Sequence, residues 1–119
     1  MADCTSSTSI PTIHPWENIS SLYYLSNSDN LGVSLVVQNL TEENYSTWSK
    51  AIFIALDAKT KIGFIDGSIP KPQSIDHPCY IAWCKCNNTI LAWLFNSISK
   101  DLQPSVAYFK TVREVWLDL

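Results

Sequence analysis

The clearest alternation of apolar and polar positions lies between Leu40 and Pro70. Thr41 is suited to cap a helix, because its hydroxyl can accept a hydrogen bond from an unpaired first-turn N–H. Gly63 is suited to end one, since glycine tolerates the left-handed backbone of a C-cap. The pattern predicts a helix from about Glu42 to Ile62, followed by a loop over 63–73. Apolar residues at steps of three and four would share the buried face of this helix: Tyr45, Trp48, Ile52, Ala55 and Leu56.

A second and longer apolar pattern runs from Pro78 to Ile98. Pro78 suits the first turn of a helix, because the N–H that proline lacks would have no partner there. Apolar positions cover more than half of the helix circumference, so this helix should be the most buried element. Its apolar side consists of Tyr80, Trp83, Cys84, Ile90, Leu91, Leu94, Phe95 and Ile98, with Cys86 and Trp93 on one flank.

The last part of the chain predicts two short helices. Pro104 can open the first, which would reach Phe109. Thr111 and Glu114 then match a capping box, in which the two side chains satisfy each other's backbone N–H groups. Val112, Val115, Trp116 and Leu119 follow at helical spacing. Because this last helix is barely two turns long and has no C-cap, we expect a truncated or frayed end.

The first residues differ from the rest. Residues 1–21 are rich in Ser, Thr and Pro and lack periodicity, which predicts a mobile tail. Residues 31–40 are β-branched and apolar and predict a short extended piece. We therefore expect a mostly α-helical small domain over 22–119, with three to four helices and a short extended N-terminal segment. Its core should contain Tyr45, Trp48, Ile52, Leu56, Trp83, Asn87, Ile90, Leu91, Trp93, Leu94 and Trp116.

Composition narrows the class of protein. A chain of 119 residues, 46% hydrophobic with five Trp, has material for one core. Its net charge is −3 and its pI about 5.1, and its eight Lys and Arg are scattered. Tight nucleic-acid binding needs a concentrated basic face, so we expect none. No membrane-spanning run or secretory signal is evident, which predicts a cytoplasmic protein, with the nucleus as the alternative. The four cysteines should then be free thiols.

No group of residues predicts an enzyme. Neither His14 nor His77 has an evident nucleophile and acid partner. The string Asp66-Gly67-Ser68 superficially resembles the motif of retroviral-type aspartic proteases, but its order is wrong, so a turn that uses Gly67 is expected instead. Cys84 and Cys86 would face different directions on a helix and cannot chelate one metal ion. We expect no cofactor, no metal and no small-molecule substrate.

Two residues break the patterns of their own helices. Asn87 falls near the centre of the second helix's apolar side, where a buried amide must be hydrogen-bonded. We expect it to bind loop or extended backbone and so pin that segment to the core; a ligand is the alternative. Ile54 lies on the polar side of the first helix. Isolated exposed apolar residues are common; the alternative is a surface for self-association.

Three short blocks follow one another along the chain: Tyr23-Tyr24-Leu25 with Ser28-Asp29-Asn30 and Gly32; Leu40-Thr41 with Asn44-Tyr45, Trp48 and 63–70; and Trp83 with Asn87, Trp93-Leu94 and Val115-Trp116. In this order they resemble one known family, the N-terminal Gag domain of plant copia-type LTR retrotransposons. The resemblance covers roughly residues 22–119. Leu31 and Ser21 depart from the family's usual residues, which affects the shape of the N-terminal turn.

The resemblance implies a structural role. A domain of this kind would make the protein–protein contacts that build a virus-like particle, with other Gag copies as partners. Element RNA would be contacted through regions downstream of this segment, where the zinc knuckle and the enzymes of the family also lie. Such a role favours the self-association interpretation of Ile54. The alternative is an orphaned or domesticated Gag fragment that acts as a stand-alone interaction module, which genomic context would distinguish.

Overall fold

A computed structural model describes residues 15–17, 23–26 and 34–119. Within these residues the chain is helical and has no β-strand, so the predicted, mostly α-helical fold class is confirmed. The described part has more helices than the three to four expected, because two are single turns. The α-helices are α1 (Tyr45–Ala58), α2 (Gly63–Asp66), α3 (Tyr80–Asn96), α4 (Gln103–Val106) and α5 (Val112–Asp118), preceded by a 3-10 helix (Pro15–Glu17).

Helix α1 is shorter at both ends than the predicted 42–62. Its N-cap is Asn44 rather than Thr41, because the two residues instead form a turn in front of the helix: the Asn44 Oδ1 accepts from the Thr41 N–H at 2.8 Å. At the other end Lys59 is the C-cap. Thr60 has a φ of 57°, a left-handed conformation that stops the helix three residues before Gly63.

The predicted loop over 63–73 contains a helical turn, α2. Gly63 opens this turn and does not cap α1, because it is needed for close packing: a Cβ on Gly63 would collide with the Ile69 side chain. The turn ends at Gly67, whose φ of 87° is the left-handed conformation that favours glycine. The prediction of a turn that uses Gly67 agrees with this geometry.

Helix α3 runs through the centre of the molecule, from Tyr80 rather than Pro78 to Asn96 rather than Ile98. Cys79 is its N-cap, and its buried residues are Ala82, Trp83, Cys86, Asn87, Thr89, Ile90, Trp93 and Leu94. Leu91, which was expected in the core, is half-buried and packs against its edge.

The last two helices follow their local signals. Helix α4 is a single turn with Pro104 near its start, shorter than the predicted 104–109. Helix α5 begins with the predicted capping box: the Thr111 side chain accepts from the Glu114 N–H, and the Glu114 carboxylate accepts from the Thr111 N–H at 3.1 Å. Trp116, also expected in the core, is half-buried and stacks on Trp48 at 6.1 Å between ring centroids.

The structure describes only some of the residues to which the N-terminal predictions apply. Residues 34–39 are bends and irregular backbone, and Leu40 alone makes an extended pairing, a parallel bridge with Ile98. Residues 15–17 of the predicted tail form the 3-10 helix, and the Trp16 carbonyl accepts from the Leu25 N–H at 2.8 Å. The other residues of the predicted tail, and 31–33 of the predicted extended piece, lie outside the described residues.

Candidate interaction surface

Helix α1 has one side buried and one side open to solvent. Trp48, Ile52 and Leu56 are buried, with at most 2% of each residue exposed. Ile54 is 61% exposed. It follows Ile52 by two positions and therefore points about 200° around the helix from it. The structure thus places Ile54 on the side of α1 that faces away from the core.

Two contacts of Trp48 fix this orientation of α1. Its indole Nε1–H donates to the Ser97 carbonyl at 2.8 Å, just past the end of α3. Its ring stacks on Trp116 of α5. Because one side chain holds α1 to both α3 and α5, the helix has little freedom to rotate and bury Ile54.

Tyr45 was predicted to lie in the core, but it is 41% exposed. It shares a helix face with Trp48, and the two rings are 6.3 Å apart. Tyr45 is the first residue of α1, however, so its side chain lies at the edge of the surface that packs on the rest of the molecule. Position along the helix, not its phase, explains the exposure.

A shallow depression of about 440 Å³ lies on the outer side of α1. It is lined by Ser46, Thr47, Lys50, Ala51 and Ile54. These side chains are small, flexible or apolar. A shallow depression of this kind can receive an apolar side chain from another protein.

A second apolar surface is a groove of about 370 Å³ between the C-terminal half of α3 and the helices α4 and α5. Phe95, which was predicted on the apolar side of α3, lies here and is 38% exposed. Leu91 also lines the groove, which explains its partial burial. The remaining lining includes Leu94, Ile98, Val106, Ala107, Phe109 and Val115.

Asn87 joins α3 to the start of α5. Its Nδ2–H donates to the Lys110 carbonyl and its Oδ1 accepts from the Val112 N–H, both at 2.9 Å. The residue is only 2% exposed. Both polar ends of the buried amide are therefore used by backbone, as expected for a residue that pins a segment to the core, and the segment is the connection between α4 and α5.

The turn around Asp66 is built by hydrogen bonds. The Asp66 carboxylate accepts from the Ser68 N–H at 2.8 Å, and the hydrogen bonds from Ser68 hold the pKa of that carboxyl below its ordinary value of 3.8. Nearby, the Arg113 guanidinium donates to the Ile65 carbonyl at 2.8 Å and ties α5 to α2. This arrangement stabilises a turn.

The three cysteines that the structure describes do not form a site. Cys79 and Cys86 are buried free thiols and Cys84 is a half-buried one. The Cys86 thiol donates to the Tyr23 carbonyl at 3.1 Å. In the part of the chain that the structure describes, no three His, Cys, Asp or Glu side chains come together as metal ligands would. None of the described helices has the length and hydropathy needed to cross a membrane.

Sequence reasoning missed most of the exposed apolar surface. Phe53 is 48% exposed and Tyr108 91% exposed. Phe53 carries a signal that was available, because it lies 100° from Ile52 and so falls at the border of the buried face. The groove between α3, α4 and α5 had no signal in the sequence, since it exists only where three elements meet.

Comparison with known proteins identifies relatives of this chain. Residues 26–73 match the family described as Gag-polypeptide of LTR copia-type. The chain is also 30% identical over 101 residues to a retrovirus-related Pol polyprotein from transposon RE2, and 29% identical over 101 residues to the one from transposon RE1, both of Arabidopsis thaliana. Each alignment covers 77% of this chain and 7% of the relative. No solved structure matches the chain significantly.

The residues that match the family contain two of the helices described above. The family match includes α1, with its buried Trp48 and outward Ile54, and continues through α2. Of the blocks that carry the resemblance in the sequence, the one from Leu40 to Pro70 lies wholly within the matched residues. Over residues 26–73 this chain is therefore similar to the Gag polypeptides of copia-type LTR retrotransposons, and over 77% of its length to the two Arabidopsis polyproteins.

Proposed function

We propose that this chain is a structural region of a Gag polyprotein whose work is to hold copies of Gag together in a virus-like particle. The observation that carries the proposal is Ile54, a large apolar residue that is 61% exposed on the outer side of α1. The similarity to copia-type Gag polypeptides supports a structural role and not a catalytic one. The partners are other Gag copies, and element RNA is bound through other parts of the polyprotein, in keeping with the net charge of −3.

The experiment is the molar mass of the purified chain, measured by light scattering over a range of concentrations. The molar mass of the wild-type protein should rise above the 13.4 kDa of one chain as concentration increases. Ile54→Asp should shift the rise to higher concentration, because a carboxylate in the contact loses its hydration when the copies meet. The substitution lies on the surface, so the free energy of unfolding should change by less than about 1 kcal/mol.

The matched control is Ile81→Asp. Ile81 is an isoleucine on α3 and is 68% exposed, comparable to Ile54, but it belongs to another surface. This variant should associate as wild type does. A chain that stays at 13.4 kDa at every concentration contradicts the proposed function.

A further inference from the structure

The outer side of α1 carries a second stripe of residues in addition to the buried one. Thr47, Ala51, Ile54 and Ala58 follow one another at steps of four, three and four. With 3.6 residues per turn they fall within an arc of roughly 60°. Ala51 is half-buried and the other three are exposed. This outer stripe has the spacing of the a and d positions through which two helices pack.

The sizes of these side chains suit a contact between helices. Thr47, Ala51 and Ala58 are small, and Ile54 is the single large apolar residue among them. Small residues let two helix backbones approach to the lower end of the usual 8–10 Å range. A large residue on one helix then finds room over a small residue on the other, which allows the stripe to pack against a copy of itself.

Charges beside the outer stripe indicate whether two contacting helices run parallel or antiparallel. Lys50 and Asp57 are exposed and lie seven positions apart, which puts them on nearly the same side of α1 and about 10 Å apart along it. At three and four positions from Lys50, where ion pairs form within a helix, there is no acidic residue. The basic residue four positions after Asp57 is Lys61, which lies beyond the end of α1, is buried, and donates from its Nζ to the Lys59 carbonyl. Each charge therefore lacks a complement within its own helix.

When two α1 helices pack antiparallel about a two-fold axis, the charges of one copy meet opposite charges of the other at two places. When Ile54 of one copy packs over Ala51 of the other, Thr47 lies opposite Ala58. In that register Lys50 of each copy is offset by about 3 Å along the axis from Asp57 of the other, on the same side of the contact. A parallel pair would place Lys50 beside position 55, an alanine. Only the antiparallel pair satisfies both charges.

We propose that two copies of this chain associate through the outer stripe of α1, antiparallel and isologous, with Lys50 of each copy paired to Asp57 of the other. This rests on the proposed function, because it names the surface and the geometry of the association. A two-fold contact of this kind is closed, as in most homodimers.

The contact should be weak on its own. Helix α1 has 14 residues and is about 21 Å long. One helix of that length buries less than the roughly 800 Å² per partner of a standard interface. Because a closed contact by itself stops at a dimer, in a particle it would act together with other contacts between copies, and several weak contacts strengthen one another. The ion pairs are exposed, so the association should weaken further as salt is raised.

The test uses charge reversal and mixing. Lys50→Glu and Asp57→Lys are prepared separately, and their dissociation constants are measured by sedimentation at low salt, each alone and as an equimolar mixture. Alone, each variant places like charges together twice in the antiparallel pair. Each should associate roughly tenfold more weakly than wild type. In the mixture, the introduced glutamate of one chain meets the introduced lysine of the other, so association should recover to near the wild-type value.

Matched controls carry the same charge changes elsewhere. Lys100→Glu and Asp101→Lys alter exposed residues between α3 and α4 and should leave the association unchanged. If wild type associates but mixing Lys50→Glu with Asp57→Lys restores nothing, the antiparallel α1 contact is wrong while self-association stands. If Ala107→Asp in the groove abolishes association and the α1 variants do not, the groove is the contact instead. If wild type remains monomeric, the proposed function itself fails.

Discussion

Asn87→Ala tests whether one buried amide holds α5 to the core. The substitution removes the donor to the Lys110 carbonyl and the acceptor for the Val112 N–H. Val112 is fully buried, so its N–H has no water to replace the lost partner, at a cost of about 1–3 kcal/mol. The hydrogen bond to the Lys110 carbonyl is only partly buried, so its loss should cost about 0.5–1.5 kcal/mol.

The two losses together predict a decrease of about 1.5–4.5 kcal/mol in the free energy of unfolding. For a domain of this size each kcal/mol lowers Tm by about 4 °C, which gives a fall of about 6–18 °C in a thermal melt followed by circular dichroism. The amides of α5 should also exchange with deuterium faster, relative to those of α1, because α5 loses its connection to α3. Asn88→Ala is the control, since Asn88 is exposed and makes only a 3.4 Å contact with Asn87.

Asn87→Leu makes the test sharper. Leucine adds apolar surface to the core, worth up to about 1.5–3 kcal/mol when fully buried, but restores neither hydrogen bond. If packing alone mattered, this variant would melt at the wild-type temperature or above it. We expect it to melt below wild type. An unchanged or higher Tm, with unchanged exchange in α5, would refute the reasoning.

Three further predictions concern the elements around α1. Trp48→Phe should lose about 2 kcal/mol of unfolding free energy, measured by urea denaturation, because the hydrogen bond to the Ser97 carbonyl and part of the ring packing on Trp116 are lost; an unchanged midpoint would contradict this. Gly63→Ala should destabilise by about 1 kcal/mol although alanine favours helix, because its Cβ collides with the Ile69 side chain. For Glu114→Gln the expected effect depends on pH. The N–H groups of Lys110 and Thr111 hold the folded pKa of Glu114 below its ordinary value of 4.5. Its contribution is therefore present above that value and is lost as pH falls through the folded pKa. The stability advantage of wild type over the glutamine variant should shrink on acidification, and a constant difference would show that the carboxylate does not stabilise the helix start.

The features that sequence predicted best are those encoded by neighbouring residues. The capping box needs only Thr111 and Glu114, three positions apart, and it formed as predicted. The outward position of Ile54 follows from its phase relative to Ile52. The prediction was wrong where position along an element or contact between elements decided the outcome, as for Tyr45 at the first turn of α1 and for Gly63, which packs against Ile69.

The hydrogen-bond partners of Asn87 show why part of the site could not be predicted from the sequence. A buried amide in the middle of α3 had to be hydrogen-bonded, and that requirement was visible from its neighbours. Its partners, however, lie 23 and 25 positions further along the chain. Their identity depends on how α4 and α5 fold back over α3, which no local pattern records. The groove lined by Phe95 and Ala107 has the same origin.

The central claim is that copies of this chain meet at the outer side of α1, and methyl NMR at increasing concentration tests it most directly. Ile54 and Ile52 lie on the same helix, one 61% exposed and the other fully buried. We predict that the methyl signals of Ile54, Ala51 and Ala58 shift and broaden as concentration rises, while those of Ile52 stay in place. Signals of α1 that do not move, or concentration-dependent shifts confined to Ala107 and the other residues of the groove, would contradict the claim.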